Sequence, residues 1–168
     1  AYAIPIQMAQ KGITVIVPDL PGFGELGPGY LKGDAYFENT SYNQWFAGVL
    51  NGKSTVAIHV EAIETLLRSC EDELKLDASK IIGISNGGFN SSLLHAAVSG
   101  VDFSGMLFLD PLLSFESIVS NKDYDPAQIP FTVAGALPQY DLPDLSAAFA
   151  PRKLNIVVDM DTLAAEEF

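Results

Sequence analysis

The chain has 168 residues, of which 48% are hydrophobic and 18% charged, and this composition excludes a disordered protein and predicts one packed domain over residues 1–168. Acidic residues outnumber basic ones by 21 to 9, and the net charge of −12 disfavours nucleic acid and anionic membranes as partners. No apolar stretch reaches the roughly 20 residues that would span a bilayer. The single cysteine, Cys70, excludes an internal disulfide. Oligomeric state and compartment stay open.

The first elements along the chain are a helix, a strand and a loop. Residues 1–11 have the pattern of a helix, which Gly12 ends. Residues 13–18 are a run of β-branched residues typical of a buried strand. The glycine- and proline-rich residues 19–29 then predict a loop that leaves the carboxyl end of this strand.

The clearest helix begins after Ser54, a residue type that caps helix N termini. Its apolar positions recur every three or four residues and form one stripe, which consists of Val56, Val60, Ile63, Leu67 and Cys70. The stripe predicts a helix that packs along one side, with Cys70 buried in it. The acidic residues 71–73 predict a turn after the helix.

Three more apolar strands are predicted, at residues 80–84, 105–109 and 154–158, with a helix at 89–98 after the first and another at 144–149 before the last. Short apolar strands that alternate with helices predict an α/β fold with a mostly parallel sheet and helices on both faces, which is a three-layer α/β/α sandwich. Ligands of such sheets bind at the carboxyl ends of the strands.

The segment 112–143 is longer than a crossover between two strands requires. It contains four prolines and has little periodicity. We expect part of this segment to overhang the carboxyl ends of the strands as a cap.

The sharpest motif is G-x-S-x-G at residues 83–87, between a predicted strand and a predicted helix. This context is typical of a nucleophile elbow, in which a serine takes a strained backbone conformation and its hydroxyl projects from the sheet. Gly83 and Gly87 supply the small neighbours that the turn needs. Ser85 is therefore the predicted nucleophile, which would attack an acyl carbon. The backbone N–H of Asn86, at the start of the next helix, is the predicted donor to the oxyanion.

From Gly12 to Phe168 the order of parts resembles strands four to seven of an α/β-hydrolase, with the elbow after strand five. Three local patterns resemble the bacterial acetyl-xylan-esterase-like branch of that superfamily. They are D-x-P-G-x-G at 19–24, S-Y-N-x-W at 41–45 and D-L-P-D-L-x-A-A at 141–148. The resemblance implies a serine hydrolase of carboxylic esters that removes small acyl groups from a carbohydrate or a similar polar ester.

By the same resemblance, the acyl-enzyme forms on Ser85 and a triad acid follows strand seven. Asp161 matches that position and would orient a histidine. Two alternatives stay open, because Asp159 is its neighbour and Asp110 ends the preceding predicted strand, where some members of the superfamily carry the acid.

Neither of the two histidines fits the triad order of Ser, Asp, His, which places the histidine after the acid. His95 lies ten residues beyond Ser85, roughly 15 Å along one helix. His59 lies beside the apolar stripe of its own helix. Both are interpreted as packing or surface residues. We therefore expect a hydrolase fold that is incomplete at both ends of this chain, and a chain that is inactive alone.

No cofactor and no metal are predicted. Residues 22–27 spell G-x-G-x-x-G, but Pro28 and Gly29 exclude the helix that a dinucleotide site needs. The acidic pairs Asp123/Asp125 and Glu166/Glu167 are interpreted as solvated surface and not as metal ligands. Two alternatives to an esterase stay open: a degenerate or incomplete hydrolase-like module without catalysis, and a peptidase or lactonase of the same fold.

Overall fold

The computed structural model describes residues 3–27, 36–37 and 40–158. Three short 3₁₀ turns lie at Gly24–Leu26, Ala78–Lys80 and Pro126–Phe131. The helices and strands, in chain order, are α1 (Ala3–Gln10), β1 (Tyr36–Phe37), β2 (Thr40–Ser41), α2 (Tyr42–Leu50), α3 (Thr55–Leu74), β3 (Ile82–Asn86), α4 (Phe89–Val98), β4 (Gly105–Leu109), α5 (Glu116–Ser120), α6 (Leu142–Ala148) and β5 (Lys153–Val157).

The central sheet consists of β3, β4 and β5 in that order, and both pairs of strands are parallel. Their carboxyl ends are level, because Asn86, Leu109 and Val157 are aligned across the three strands. β1 and β2 form a separate antiparallel pair. The α/β class and the parallel sheet are therefore confirmed.

The helices cover one face of this sheet. α4 packs on β3, and α3 and α6 pack on α4. On the opposite face of β3, Ile82 is 59% exposed and Ile84 is 38% exposed. At β3 the described part of the chain therefore has two layers, sheet and helices, and the third layer of the predicted sandwich is not seen there.

Helix α3 follows its sequence pattern closely. The hydroxyl oxygen of Ser54 accepts a hydrogen bond from the N–H of Ala57 at 3.0 Å, as an N-terminal cap does. Cys70 is buried at the other end of the stripe, as predicted. The turn predicted at 71–73 is wrong, because these residues form the last turn of α3. The helix ends where Lys75 takes a left-handed conformation, with φ of 55°.

The strand predicted at residues 13–18 is also wrong, since this run belongs to no sheet in the described part of the chain. Its side chains at Ile13, Ile16 and Val17 are between 40% and 56% exposed. A run of β-branched residues favours a strand only where a neighbouring strand accepts its hydrogen bonds. The sheet of β3, β4 and β5 does not extend to this run.

The segment 112–143 folds back onto the helical layer. Five of its buried side chains belong to the hydrophobic core, and they are Leu112, Phe115, Phe131, Ala136 and Leu142. Near its end, the Asp141 side chain and the Asp144 side chain form a reciprocal capping box at the start of α6. The helix therefore begins two residues earlier than the predicted 144. The predicted role of the segment as a cap over a site stays a prediction.

Candidate functional site

Ser85 lies inside β3, one residue before the strand ends. The motif predicts a strained conformation at Ser85, but among the described residues other than glycine only Lys75 and Asp110 have a positive φ. The sharp turn instead falls on Gly87, with φ of 61°. The prediction is wrong on this point, because a glycine two residues later takes the left-handed conformation without the steric cost of a side chain.

The hydroxyl of Ser85 points into the protein. Residues two apart on a strand share a face, and Gly83 faces Leu93 of α4, so Ser85 also faces the helical layer. Ser85 is only 7% exposed, and its Oγ has no hydrogen-bond partner in the described part of the chain. The Ser85 oxygen thus leaves the sheet on its helical face, where it is buried and not open to solvent.

The turn between β3 and α4 is tightly covered. A Cβ atom added to Gly88 would overlap the Phe131 ring and would lie 2.7 Å from Oε1 of Gln128. That Oε1 is buried and has no hydrogen-bond partner among the described residues. The 112–143 segment thus places an aromatic ring and an amide beside the N terminus of α4, which has no side-chain cap.

The backbone N–H of Asn86 is directed away from β4. The next N–H along, that of Gly87, donates to the carbonyl oxygen of Leu109 at 2.9 Å. Successive N–H groups of a strand point to opposite sides, so the N–H of Asn86 points to the edge of β3 where the described structure has no neighbouring strand. This geometry leaves the N–H of Asn86 free of the ladder, as an oxyanion donor requires.

Of the three candidate acids, only Asp110 lies within the described residues, and Asp159 and Asp161 lie outside them. Asp110 directly follows β4, has a φ of 45°, and its N–H donates to the carbonyl oxygen of Val157 at 2.8 Å. Ser85 is aligned with Phe108, two residues before Asp110. Strand spacing and rise therefore put the two Cα atoms about 8 Å apart.

Asn90, in the first turn of α4, holds the loop that carries Asp110. Its Nδ2 donates to the carbonyl oxygen of Leu112 at 2.8 Å, and its Oδ1 accepts from the N–H of Leu112 at 3.1 Å. The side chain is buried, with 3% exposed. Nothing in the sequence spacing singles out Asn90, because its partner is 22 residues away along the chain.

The imidazole of His59 is completely buried among Phe23, Phe89 and Phe131. Its Nε2 lies 3.0 Å from the carbonyl oxygen of Pro21, which can only accept, so Nε2 carries the proton. Its Nδ1 lies 2.9 Å from the Ser92 hydroxyl, which donates to it. Burial lowers the pKa of His59 and so favours the neutral ring.

His95 has the opposite tautomer. Its Nδ1 donates to the carbonyl oxygen of Ser91 at 2.7 Å, and its Nε2 accepts from the Tyr140 hydroxyl at 2.9 Å. Burial lowers the pKa of His95 and raises the pKa of Tyr140. Both ring nitrogens of each histidine are thus hydrogen-bonded to groups other than Ser85. His59 is a buried packing residue, which is one of the two interpretations given above, and His95 is half-buried.

An open cleft of about 500 Å³ lies between the 18–26 loop and α3. Its walls are mostly apolar, with carboxylates at Asp19 and Glu61. Asp19 accepts the N–H of Glu25 at 2.8 Å, and Glu61 pairs with Lys53 at 2.7 Å. Both carboxylates therefore serve local structure, and the cleft is separate from Ser85.

No group of three or more potential metal ligands is found within the described ranges. Nor does any helix of that part of the chain combine the length and the hydropathy that crossing a membrane requires. Comparison with known protein families, with curated proteins and with solved structures found no match to this chain.

Proposed function

We propose that this protein is a serine hydrolase that cleaves a carboxylic ester through an acyl-enzyme on Ser85, with a small acyl group on a carbohydrate or similar polar alcohol as its substrate. The observation that supports the proposal best is the strand, turn and helix around the G-x-S-x-G motif. Ser85 lies near the carboxyl end of a parallel strand, and α4 starts four residues later with an uncapped N terminus.

In the first step a base takes the proton of the Ser85 hydroxyl, and Oγ forms a bond to the acyl carbon. The N–H of Asn86 stabilises the negative oxygen of the tetrahedral intermediate. The bond to the alcohol then breaks, and the alcohol leaves with the proton. Water attacks the acyl-enzyme in the same way, releases the acid and restores the serine. The base is neither His59 nor His95, whose ring nitrogens are engaged elsewhere.

The fold of this site is proposed to be that of an α/β-hydrolase, with a third layer on the exposed face of β3. One observation supports this extension: Ile82 and Ile84 give that face an apolar surface that is exposed in the described part of the chain. Asp161, Asp110 and Asp159 are the candidates for the acid that orients the base.

A second candidate function is a hydrolase-like module without catalysis. It is favoured by the burial of the Ser85 hydroxyl, by the absence of a positive φ at Ser85, and by the engagement of both histidines. In this case the β3–α4 unit keeps the packing of an elbow and lacks its chemistry. A peptidase or lactonase of the same fold shares the Ser85 nucleophile and differs only in the substrate cleaved.

The test is labelling with a fluorophosphonate, which reacts covalently with activated serines. The 168-residue chain is labelled beside its Ser85→Ala variant, and any longer product of the gene is labelled in the same way. We expect labelling of the full gene product, whatever its length, that disappears in Ser85→Ala. A panel of acetyl, butyryl and peptide substrates then separates an esterase from a peptidase.

A matched control is Ser91→Ala, because Ser91 is also buried and its Oγ also has no hydrogen-bond partner among the described residues. This variant should keep the labelling. No labelling of any form, with cooperative unfolding intact, would reject the hydrolase and support the module without catalysis.

A further inference from the structure

The loop after β4 is held from two sides. On one side the N–H of Asp110 donates to Val157 of β5. On the other side the Asn90 side chain makes two hydrogen bonds to the backbone of Leu112, at 2.8 and 3.1 Å. A positive φ at an aspartate is uncommon, and the surrounding contacts must maintain it.

Asn90 and Ser85 belong to the same β3–α4 unit. Asn90 is the second residue of α4, and Ser85 is the penultimate residue of β3. Because the Asn90 amide is buried and engages both polar groups of one residue, it fixes the position of the Asp110 loop relative to that unit. An alanine at this position would leave both groups of Leu112 without their partner.

From this geometry we infer that Asn90 is a positioning residue, which holds the Asp110 carboxylate at the carboxyl end of β3, beside Ser85. The inference rests on the proposed function, because the Asp110 carboxylate has a role in catalysis only if Ser85 is the nucleophile. In that case the carboxylate would act on the group that activates Ser85. Asn90 itself contacts no reacting atom.

The test measures how the charge of Asp110 affects the pKa of a thiol at position 85, and it needs no catalysis. A Ser85→Cys variant, made in a Cys70→Ala background, carries one thiol, whose pKa is read from the ultraviolet absorbance of the thiolate. The Cα atoms of Asp110 and residue 85 are about 8 Å apart. A carboxylate near the thiol disfavours the thiolate, so Asp110→Asn should lower the pKa of the thiol by about 0.5 to 1 pH unit.

Asn90→Ala should lower the thiol pKa in the same direction, because the loop loses its anchor and the carboxylate moves away. In the Asp110→Asn background the same Asn90→Ala change should have no effect. This double-mutant cycle separates positioning of Asp110 from general loosening of the fold. Asn90→Ser is the milder second variant if Asn90→Ala does not fold. As a control, Asn51→Ala removes only an exposed hydrogen bond to Ala47 and should leave the thiol pKa unchanged.

Two outcomes would overturn the inference. An equal effect of Asn90→Ala with and without Asp110 would show that Asn90 acts on the fold and not on the carboxylate. No effect of Asp110→Asn would show that the carboxylate lies outside the site. Failure of the proposed function would give a different result, namely no labelling by the fluorophosphonate. The double-mutant cycle on the thiol pKa could still be measured in that case.

Discussion

The carbonyl oxygen of Pro21 accepts a hydrogen bond from Nε2 of His59 at 3.0 Å, which binds the glycine-rich loop to the N-terminal part of α3. The other ring nitrogen of His59 accepts from Ser92 of α4. One buried imidazole therefore joins a loop and two helices. The hydrogen-bond partners of the ring are Pro21 and Ser92, and its aromatic neighbours are three phenylalanines, so these contacts carry no charge.

The first prediction concerns pH. The folded protein keeps His59 and His95 neutral because burial lowers the pKa of each, whereas the unfolded chain takes up protons near pH 6.5. The contribution of the two neutral imidazoles to the free energy of unfolding should therefore be complete above pH 6.5. The free energy of unfolding should fall as the pH decreases from 6.5 towards 5. Each imidazole contributes at most about 1.4 kcal/mol per pH unit. Urea unfolding at several pH values measures this slope.

The variants His59→Gln and His95→Gln assign the slope to a residue. Each should unfold more easily than the parent at pH 7.5, and each should show a smaller decrease of stability between pH 6.5 and 5. A slope that is unchanged in both variants would attribute the pH dependence to other groups.

The second prediction compares two buried serines. Ser85→Ala removes a hydroxyl that is buried without a hydrogen-bond partner, so we expect the protein to be as stable or up to about 1 kcal/mol more stable. Ser92→Ala leaves Nδ1 of His59 without its donor, so we expect a loss of about 1 to 3 kcal/mol. Thermal and urea unfolding give both values. A destabilised Ser85→Ala would mean that this hydroxyl has a partner.

The third prediction concerns the covered turn. Gly88→Ala places a methyl group against the Phe131 ring and the Gln128 amide, and should cost about 1 to 3 kcal/mol through overpacking. The backbone of Gly88 is right-handed, so strain from φ does not contribute. Ser99→Ala, exposed at the other end of α4, is the control and should be near neutral. Equal stability of Gly88→Ala and the parent would show that Phe131 moves away freely.

The fourth prediction tests the cap of α3. Ser54→Ala removes the acceptor for the N–H of Ala57 and should lower the free energy of unfolding by about 1 kcal/mol. Ser69→Ala changes an exposed position within the same helix and should be neutral or slightly stabilising. Circular dichroism during urea unfolding compares the two. A loss of the same size in both variants would contradict a capping role.

Helix α3 was predictable because its determinants are local. The hydroxyl of Ser54 accepts the N–H of a residue three positions ahead. The residues of the apolar stripe follow one another at intervals of about one helical turn. The parallel strands β4 and β5 were predictable for the same reason, since each is a short apolar run between turns. The G-x-S-x-G motif likewise located the β3–α4 turn.

The wrong or missed features are those that depend on contacts between residues far apart along the chain. The run at 13–18 has strand composition, but a strand also needs a neighbour, which composition does not reveal. The motif predicts a strained backbone at Ser85, whereas the positive φ of the turn falls on Gly87. Two contacts depend on how the 112–143 segment packs: the hydrogen bonds of Asn90 to Leu112 and the contact of Phe131 with Gly88. The periodicity of the sequence does not predict this packing.

Among the described residues β3 lies at the edge of the sheet, and this position divides its backbone amides into two populations. The N–H groups of Gly83, Ser85 and Gly87 point towards β4, while those of the residues between them point outward. Hydrogen exchange along this short strand should therefore alternate between slow and fast, residue by residue. A partner that added a strand at this edge of β3 would bind the outward N–H groups and make their exchange slow as well. The exchange rates of these five amides would therefore show, without a label on either molecule, whether the edge of β3 is bound.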